Sequence, residues 1–342
     1  MSDDPSFQSP TDLLNRALAQ LVSRHPAQAD SVHPDPLALS CGFPEDGMGE
    51  SAALEELAST FFPASARLGH PGYFAHMDPP TPWVSWVGEL WSAACNQNLL
   101  HLDTGAGARE LEQLVVSWLA PWFGMNGGHL VPGSSIANIT ALWAARELKG
   151  VDQVLVSDKA HLSIRKAASL LGFTLHEVPV DDHHRLNPDA LPDVEPGRCA
   201  VVLTAGTVAA GAVDPLDVMP EAAWRHVDAA WAGPLRLTRY ANRLDGMDRA
   251  DSVAVSAHKW LFQPKENALV LFRREKEAHE ALSFGGGYLA VPNVGLLGSH
   301  GSAALPLAAT LMAWGRRGLA TRIEHCMELS EALATRVKAE PE

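Results

Sequence analysis

Four short apolar runs in the second half of the chain each end at polar or ionisable residues. The runs are Val154–Ser157, Ala200–Thr204, His226–Asp228 and Ser252–Ser256. The residues that close or follow them are Asp158, Lys159, His161, Thr207, Asp228, His258 and Lys259. Taken singly, each has a plainer explanation, because an Asp after a strand often caps a helix and a Lys is most often a solvated surface charge. Found together after four runs, they favour a chemical site.

A glycine–serine turn adds a phosphate-binding element. Pro132–Asn138 (PGSSIAN) leads into a helical run, and backbone N–H groups with small hydroxyls at a helix start suit an anion. By itself the turn is explained equally well by an ordinary serine cap. Together with a Lys, an Asp and an imidazole it suggests pyridoxal phosphate (PLP). A Lys amine forms a Schiff base with this cofactor, a carboxylate keeps the pyridine nitrogen protonated, and a flat side chain stacks on the ring.

These residues must be positioned by a mostly parallel sheet. The apolar runs, with a fifth at Ala268–Phe272, alternate with helical patterns, which predicts an α/β fold with helices on both faces of the sheet. Ligands in such folds bind at the carboxyl ends of the strands. Upstream, helices are predicted at Thr11–Arg24, Ser51–Phe61, Trp83–Cys95 and Ala108–Gly124. The Pro-rich stretch between residues 25 and 49 is predicted to be an extended arm.

Composition excludes several classes of protein. The 342 residues are 46% hydrophobic and 19% charged, with a formal net charge of −14, which argues against nucleic-acid or anionic-lipid partners. The four cysteines show no zinc-binding spacing and suggest a reducing compartment. Residues 281–315 carry no charge, but repeated glycines and prolines make a membrane helix improbable. A cytoplasmic protein without a metal or a signal peptide is expected.

Several segments resemble the group II PLP-dependent decarboxylases, a family that includes aromatic amino acid, histidine, glutamate and 2,4-diaminobutyrate decarboxylases. The two most specific are HVDAAWAG (226–233) and SAHKWL (256–261). Similar blocks in family order are HPGYFAHM (70–77), ARELEQLVVSWLAPWFG (108–124) and SDKAHLSIRKAA (157–168). The resemblance covers roughly His70 to Leu319. It implies PLP fold type I, like aspartate aminotransferase, with an N-terminal helical arm (1–65), a PLP-binding large domain (66–275) and an incomplete C-terminal small domain (276–342).

The resemblance also implies the residues of the cofactor site. Lys259 would form the Schiff base, Asp228 would face the pyridinium, and His161 would stack on the ring. The other cofactor-binding residues would be Ser134, Ser135, Thr207, His226, Ala230 and His258. One departure concerns Val208, because the family usually has a second threonine there. Another is Gly298-Ser299-His300-Gly301, where many relatives have an arginine-rich GSRR-like sequence.

The charge-free stretch gains a role from the same resemblance. Relatives carry a mobile loop whose tyrosine acts on the decarboxylated carbanion, and Tyr288 in GGGYLAVPN lies at the matching place, 29 positions after Lys259. A phenol can return a proton as a general acid when such a loop closes. The plainer alternative is that Tyr288 only packs the loop.

Substrate and partner residues are implied as well. His70, Tyr73 and Phe74 fall in the block that lines the substrate pocket of relatives, and this block favours a small polar or charged amino acid. The segment 96–104 (NQNLLHLDT) resembles a loop that relatives contribute to the partner's site, so His101 is expected to face the cofactor of the other subunit of a homodimer.

Three functions follow from these observations. The leading one is decarboxylation of an L-amino acid, with Lys259, Tyr288 and His161 as catalytic residues. A PLP-dependent aminotransferase or aldehyde-forming oxidative deaminase is the second, although Tyr288 argues against it. The third is an inactive homologue that serves as a binding partner, because relatives continue for about another small domain beyond the position of Glu342.

Overall fold

Seven strands form one sheet in the computed structural model, which describes residues 11–24, 33–39, 42, 45–74, 76–218 and 220–340. The strands are β1 (Gly127–Val131), β2 (Gln153–Ser157), β3 (Thr174–Val178), β4 (Cys199–Thr204), β5 (Trp224–Asp228), β6 (Ser252–Ser256) and β7 (Ala268–Phe272). They lie in the order β1-β7-β6-β5-β4-β2-β3. All neighbours from β6 to β3 are parallel, and β7 runs antiparallel to both β6 and β1. The predicted α/β fold with a mostly parallel sheet is confirmed.

Every residue of β4, β6 and β7 is buried, because helices cover both faces of the sheet. Successive residues of one strand belong to opposite apolar cores: Leu203 lies in one and Val202 in the other, since side chains alternate along a strand. The edge strands were not predicted. β1 is rich in glycine, and β3 has only one fully buried residue, so neither shows the continuous apolar signal of the central strands.

Residues 81–342 form one compact unit, and residues 1–80 form another. The helices of the larger unit are α3 (Trp83–Cys95), α4 (Leu102–Leu119), α5 (Ser134–Lys149), α6 (Leu162–Leu171), α7 (Glu275–Ala281) and α8 (Ala304–Ala339). A small hairpin joins β8 (Ser283–Phe284) to β9 (Asn293–Val294). The expected domain boundaries after residues 65 and 275 stay predictions.

The smaller unit contains α1 (Thr11–Arg24) and α2 (Glu50–Phe61), which contact each other. Both helices were predicted, and α2 begins one residue earlier than expected. The extended arm lies largely outside the described residues; within it, residues 34–39 have no regular secondary structure.

Helix α4 differs most from its prediction. It begins at Leu102 rather than Ala108, and it ends at Leu119, where a 3-10 turn of residues 120–123 follows. Pro121 and the left-handed Gly124 end the helix early, because proline lacks an N–H and glycine accepts a positive φ. Near its start Gly105 has non-helical backbone angles and lies against the backbone of Asn98, which bends the helix there.

Within the described part of the chain, no helix combines the length and the apolar composition that a membrane crossing needs.

Candidate functional site

The carboxyl ends of four neighbouring parallel strands meet at one edge of the sheet. Strands β6, β5, β4 and β2 lie side by side, and Asp228 at the end of β5 pairs in register with Thr204 of β4 and Ala254 of β6. The polar residues predicted to follow these strands are therefore brought to the same edge, as expected for an α/β ligand site.

Asp228 is the acidic group at the centre of this edge. The residue is only 3% exposed. Oδ1 accepts a hydrogen bond from the backbone N–H of Ala230 at 3.2 Å, and Oδ2 accepts one from Nδ2 of Asn138 at 2.9 Å. Each oxygen of a carboxylate can accept two hydrogen bonds, so each of these two keeps capacity for a ligand donor.

His161 begins helix α6 as its N-cap residue. Its Nδ1 accepts a hydrogen bond from the backbone N–H of Ser163 at 3.2 Å and lies 2.8 Å from Oγ of the same residue. Burial lowers the pKa of His161; the charge of Asp228 opposes this, and the charges of Lys259 and Lys166 add to it. The acceptor role of Nδ1 and the lowered pKa both favour the neutral imidazole, and the charges of Asp228 and Lys259 act on it.

Lys259 follows β6 in a turn. Its backbone N–H donates to the carbonyl of Ser256 at 3.2 Å, and the neighbouring His258 donates its N–H to the carbonyl of Asn267 at 3.0 Å. These two bonds fix the backbone of the turn against β6 and the segment before β7. The charge of Lys259 acts on His161, so its side chain lies near that imidazole.

The glycine–serine turn lies beside His258. Gly133 has φ +103°, and a Cβ at this position would meet only Cε1 of His258, at 3.7 Å. Ser134 and Ser135 open helix α5, whose first backbone N–H groups have no acceptor within the helix. A helix start next to an imidazole, with room left by a glycine, fits a phosphate group.

Thr207 is placed in the turn after β4. Its side chain is buried, and its Oγ1 accepts a hydrogen bond from the N–H of Ala212 at 3.0 Å. The ring of Trp231 fills the space beside Gly206 and Gly211, so the turn is packed against the segment that follows Asp228. The hydroxyl oxygen of Thr207 stabilises the turn as an acceptor, and its O–H hydrogen is available as a donor.

His226 is completely buried, with both ring nitrogens bonded inside the protein. Nε2 lies 2.9 Å from Oδ1 of Asn138, and Nδ1 lies 2.8 Å from Oγ of Ser252. Burial lowers its pKa to about 4, while the charge of Asp228 opposes the change. His226 lies in the protein interior, and Asn138 forms hydrogen bonds with both His226 and Asp228.

Tyr288 and His101 form a second group. The tyrosine is 74% exposed in the segment between β8 and β9, and the histidine precedes helix α4. Their ring centroids are 6.1 Å apart with planes inclined by 56°. Two residues that the sequence assigned to different roles therefore contact each other within one chain.

The remaining substrate candidates lie in the smaller unit. Nδ1 of His70 accepts a hydrogen bond from the N–H of Gly72 at 2.9 Å, and the N–H of Tyr73 donates to the carbonyl of His70 at 2.9 Å. Phe74 is 80% exposed. The substrate role of these three residues stays a prediction.

Two polar residues of the site were missed in the sequence. Asn138 and Ser163 are fully buried and hydrogen-bonded to each other at 2.9 Å, although they lie on different helices. The available signal was its spacing: Asn138 follows Ser134 by four positions in helix α5, so the two side chains lie on the same face of the helix. Ser163 follows His161 by two residues.

The set of functional groups at this edge of the sheet fits pyridoxal phosphate. It offers an amine at Lys259, a buried carboxylate at Asp228, a neutral imidazole at His161 and an anion-binding helix start at Ser134. These are the groups that would hold the aldehyde, the pyridine nitrogen, the ring face and the phosphate of this cofactor.

Comparisons with known proteins agree with this fit. L-2,4-Diaminobutyrate decarboxylase from Rhizobium meliloti (strain 1021) is 32% identical over 86% of this chain, and aromatic-L-amino-acid decarboxylase from Bacillus atrophaeus is 31% identical over 70% of it. The chain spans 66% and 55% of the lengths of these two relatives.

A solved structure shows the same fold. The glutamate decarboxylase domain of a diaminobutyrate-pyruvate transaminase and L-2,4-diaminobutyrate decarboxylase from Vibrio parahaemolyticus superposes with a TM-score of 0.82 at 22% identity. The superposition covers 96% of this chain and 77% of that chain. Together with the parallel sheet, this likeness confirms the expected PLP fold type I.

Residues 39–342 match the sequence profile of the pyridoxal-dependent decarboxylase conserved domain. The match extends over most of the chain and includes every residue of the strand-end site. The chain therefore belongs to the pyridoxal-dependent decarboxylase family, as the motifs around Asp228 and Lys259 predicted, and pyridoxal phosphate is the cofactor that this family uses.

Proposed function

We propose that this protein decarboxylates an L-amino acid to the amine and carbon dioxide with pyridoxal phosphate as cofactor. The observation that carries the proposal is that Lys259, Asp228 and His161 lie at the same carboxyl edge of the sheet, where the charges of the first two act on the imidazole, within one domain of the decarboxylase family. When bound, PLP supplies an electron-withdrawing ring that allows the carboxylate of the amino acid to leave as carbon dioxide.

The residues of the site divide the work of holding the cofactor. Lys259 would bind it covalently, and Asp228 would accept a hydrogen bond from its pyridine nitrogen and favour the protonated form of that nitrogen. His161 would lie against the ring as a neutral imidazole. Its neutrality is supported by the acceptor role of Nδ1 and by burial, which lowers its pKa.

Other residues would bind the phosphate and orient the ring. Ser134 and Ser135 supply hydroxyls and backbone N–H groups at the start of α5, and His258 lies beside Gly133. Thr207 and Ala230 would border the ring from the turns after β4 and β5. His226 would act on the site through Asn138 rather than by contact with the cofactor.

Tyr288 is proposed as the group that returns a proton to the α-carbon after carbon dioxide leaves. Its exposure, in a segment that contains Gly285–Gly287, is compatible with a loop that closes during the reaction. His101 contacts Tyr288, so both are proposed to serve the same site.

A homodimer is proposed as the working form. Helix α3 exposes Trp83, Leu90 and Trp91, which are 69%, 48% and 58% accessible in the isolated chain. Large apolar side chains of this kind favour burial against another protein surface. Light scattering of the purified protein should give twice the chain mass, and a fully active monomer would contradict the proposal. We also propose a cytoplasmic location.

A substrate with a small polar or charged side chain is proposed, and the role of His70, Tyr73, Phe74 and His101 in recognising a substrate is part of this proposal. The similarity to the diaminobutyrate decarboxylase of Rhizobium meliloti supports this, whereas the Bacillus relative acts on aromatic amino acids by its name. Release of carbon dioxide should therefore be measured across all common L-amino acids and 2,4-diaminobutyrate.

The decisive experiment compares the wild-type chain with Lys259→Ala after incubation with PLP. The wild type should show the visible absorbance of lysine-bound cofactor and release carbon dioxide with equimolar amine, and Lys259→Ala should do neither. Lys276→Ala removes an exposed lysine from α7 and should behave as wild type. Formation of aldehyde and hydrogen peroxide would support the oxidative alternative. Identical spectra of wild type and Lys259→Ala would support an inactive binding protein.

A further inference from the structure

Asn138 is the centre of a hydrogen-bond network beneath the proposed cofactor site. Its side chain is completely buried. Nδ2 lies 2.9 Å from Oδ2 of Asp228 and 2.9 Å from Oγ of Ser163, and Oδ1 lies 2.9 Å from Nε2 of His226. One amide thus joins helices α5 and α6 to strand β5.

The orientation of this amide follows from its partners. An ionised carboxylate only accepts hydrogen bonds, so the Asn138 atom that faces Asp228 must be the NH₂ group. The carbonyl oxygen then faces His226, and Nε2 of His226 must carry a hydrogen to donate to it.

The other ring nitrogen of His226, Nδ1, contacts Ser252. The indole Nε1 of Trp224 can only donate, and it donates to Oγ of Ser252 at 2.9 Å. The hydroxyl hydrogen of Ser252 can then point to Nδ1 of His226 at 2.8 Å. In this arrangement His226 accepts at Nδ1 and donates at Nε2 as a neutral imidazole, which burial favours by lowering its pKa to about 4.

The network also connects Asn138, through Ser163, to His161, which is proposed to stack on the cofactor ring. The other hydrogen of the Asn138 amide occupies an acceptor position of Ser163 Oγ, which leaves the hydroxyl hydrogen of Ser163 to point at Nδ1 of His161, 2.8 Å away. The backbone N–H of Ser163 also donates to Nδ1. Both donors point at the single lone pair of Nδ1, so Nδ1 carries no hydrogen and the hydrogen of the neutral ring lies on Nε2.

We propose that Asn138 is a positioning residue that sets the proton pattern of the cofactor site. It fixes the orientation of the Asp228 side chain, and through Ser163 it favours the neutral tautomer of His161 with hydrogen on Nε2. His161 consequently presents a flat, uncharged face and one donor. The significance of this pattern for catalysis rests on the proposed function, whereas the proton pattern itself is a property of the chain without cofactor.

A purely structural role of Asn138 and the proposed positioning role predict different results when this residue is substituted. If Asn138 only fills space, a side chain of the right shape should replace it. If its hydrogen bonds matter, a replacement must donate to Asp228 and accept from His226. Threonine and valine match each other in shape, and only threonine carries a group that both donates and accepts, so Asn138→Thr and Asn138→Val form a matched pair.

The first measurement uses the full chain without PLP, labelled with ¹⁵N at histidine. Long-range ¹H–¹⁵N correlation at pH 7 should show His161 and His226 with an unprotonated Nδ1 and a protonated Nε2. Ser163→Ala should shift the His161 nitrogens towards a mixture of tautomers and leave those of His226 unchanged. A wild-type His161 that is protonated on Nδ1, or charged at pH 7, would overturn the proposal.

The second measurement is the PLP dissociation constant, followed by visible absorbance, together with the pH midpoint of that absorbance. Asn138→Val should weaken PLP binding about tenfold, because a hydrogen bond to a charged group is lost, and should shift the midpoint. Asn138→Thr should bind PLP more tightly than Asn138→Val. Equal values for the two variants would overturn the proposal. Failure of wild type to bind PLP would refute the proposed function, whereas the histidine tautomers would still test the network.

Discussion

Nε2 of His226 donates a hydrogen bond of 2.9 Å to Oδ1 of Asn138, and both side chains are completely buried. The two residues are 88 positions apart in the chain and belong to strand β5 and helix α5. Because Asn138 also binds Asp228, this bond makes the charge state of His226 part of the environment of the cofactor site. A proton added to His226 would place a cation where the network requires an acceptor at Nδ1.

The stability of the fold should therefore depend on pH through His226. Burial lowers its pKa from 6.5 to about 4 in the folded chain. Between these values the unfolded chain binds the proton and the folded chain does not. Its contribution to the free energy of unfolding is full above pH 6.5 and falls, by on the order of 3 kcal/mol in all, as the pH drops towards 4.

Urea unfolding of wild type and His226→Gln at pH 7.5 and pH 5 measures this contribution. The glutamine cannot titrate, so the variant should lose less stability than wild type between the two pH values. His183→Gln, at an exposed position, serves as the control and should lose as much free energy of unfolding between the two pH values as wild type does. An equal loss of free energy of unfolding in wild type and His226→Gln would contradict the role given to His226.

Gly206→Ala should destabilise the protein. Gly206 has φ +99°, and a Cβ there would lie 2.3 Å from Cε3 of Trp231, so the ring must move and the backbone is strained. A loss of about 2 kcal/mol or more in the free energy of unfolding is expected. Gly197→Ala is the matched control, because Gly197 has no positive φ and open space around it. An unchanged Gly206→Ala variant would show that the turn before Thr207 is not held by Trp231.

Tyr288→Phe should lower amine formation about 100-fold, because it removes the O–H that is proposed to return a proton to the α-carbon. Cofactor binding should be unchanged. The products should be measured as amine, aldehyde and hydrogen peroxide, with an increase in the last two expected. Tyr240→Phe is the control, since Tyr240 lies against Arg239 and Arg243 and its hydroxyl accepts from Arg239 at 3.0 Å. If Tyr288→Phe made amine at the wild-type rate, Tyr288 would only pack the loop.

Asp228→Asn should lower kcat about 100-fold or more, because the amide keeps the shape of the side chain and removes the charge that favours a protonated pyridine nitrogen. Visible absorbance should show that the variant still binds PLP, more weakly than wild type. Asp217→Asn, on an exposed position, should leave both properties unchanged. Full activity of Asp228→Asn would refute the assigned role.

The amino-acid sequence by itself determined the fold class, the family and the residues at the strand ends. Central strands such as β4 and β6 are continuous apolar runs, and this local signal is strong because both of their faces are buried. Asp228 and Lys259 stand directly at or after such runs, so their place at the carboxyl edge followed from the parallel order of the strands. The helix α4 was less well predicted, since Gly105 and Pro121 change the backbone in ways that its apolar pattern does not show.

Only the tertiary structure decided which residues support the site from behind. Asn138 and Asp228 are 90 positions apart, and they meet because α5 packs across β5 and β6. A hydrogen bond between distant residues depends on the distance and rotation of packed elements, which no local pattern of residue types encodes. For the same reason His226, which the motif placed among cofactor-binding residues, is placed by the fold behind Asp228, and Tyr288 is placed against His101.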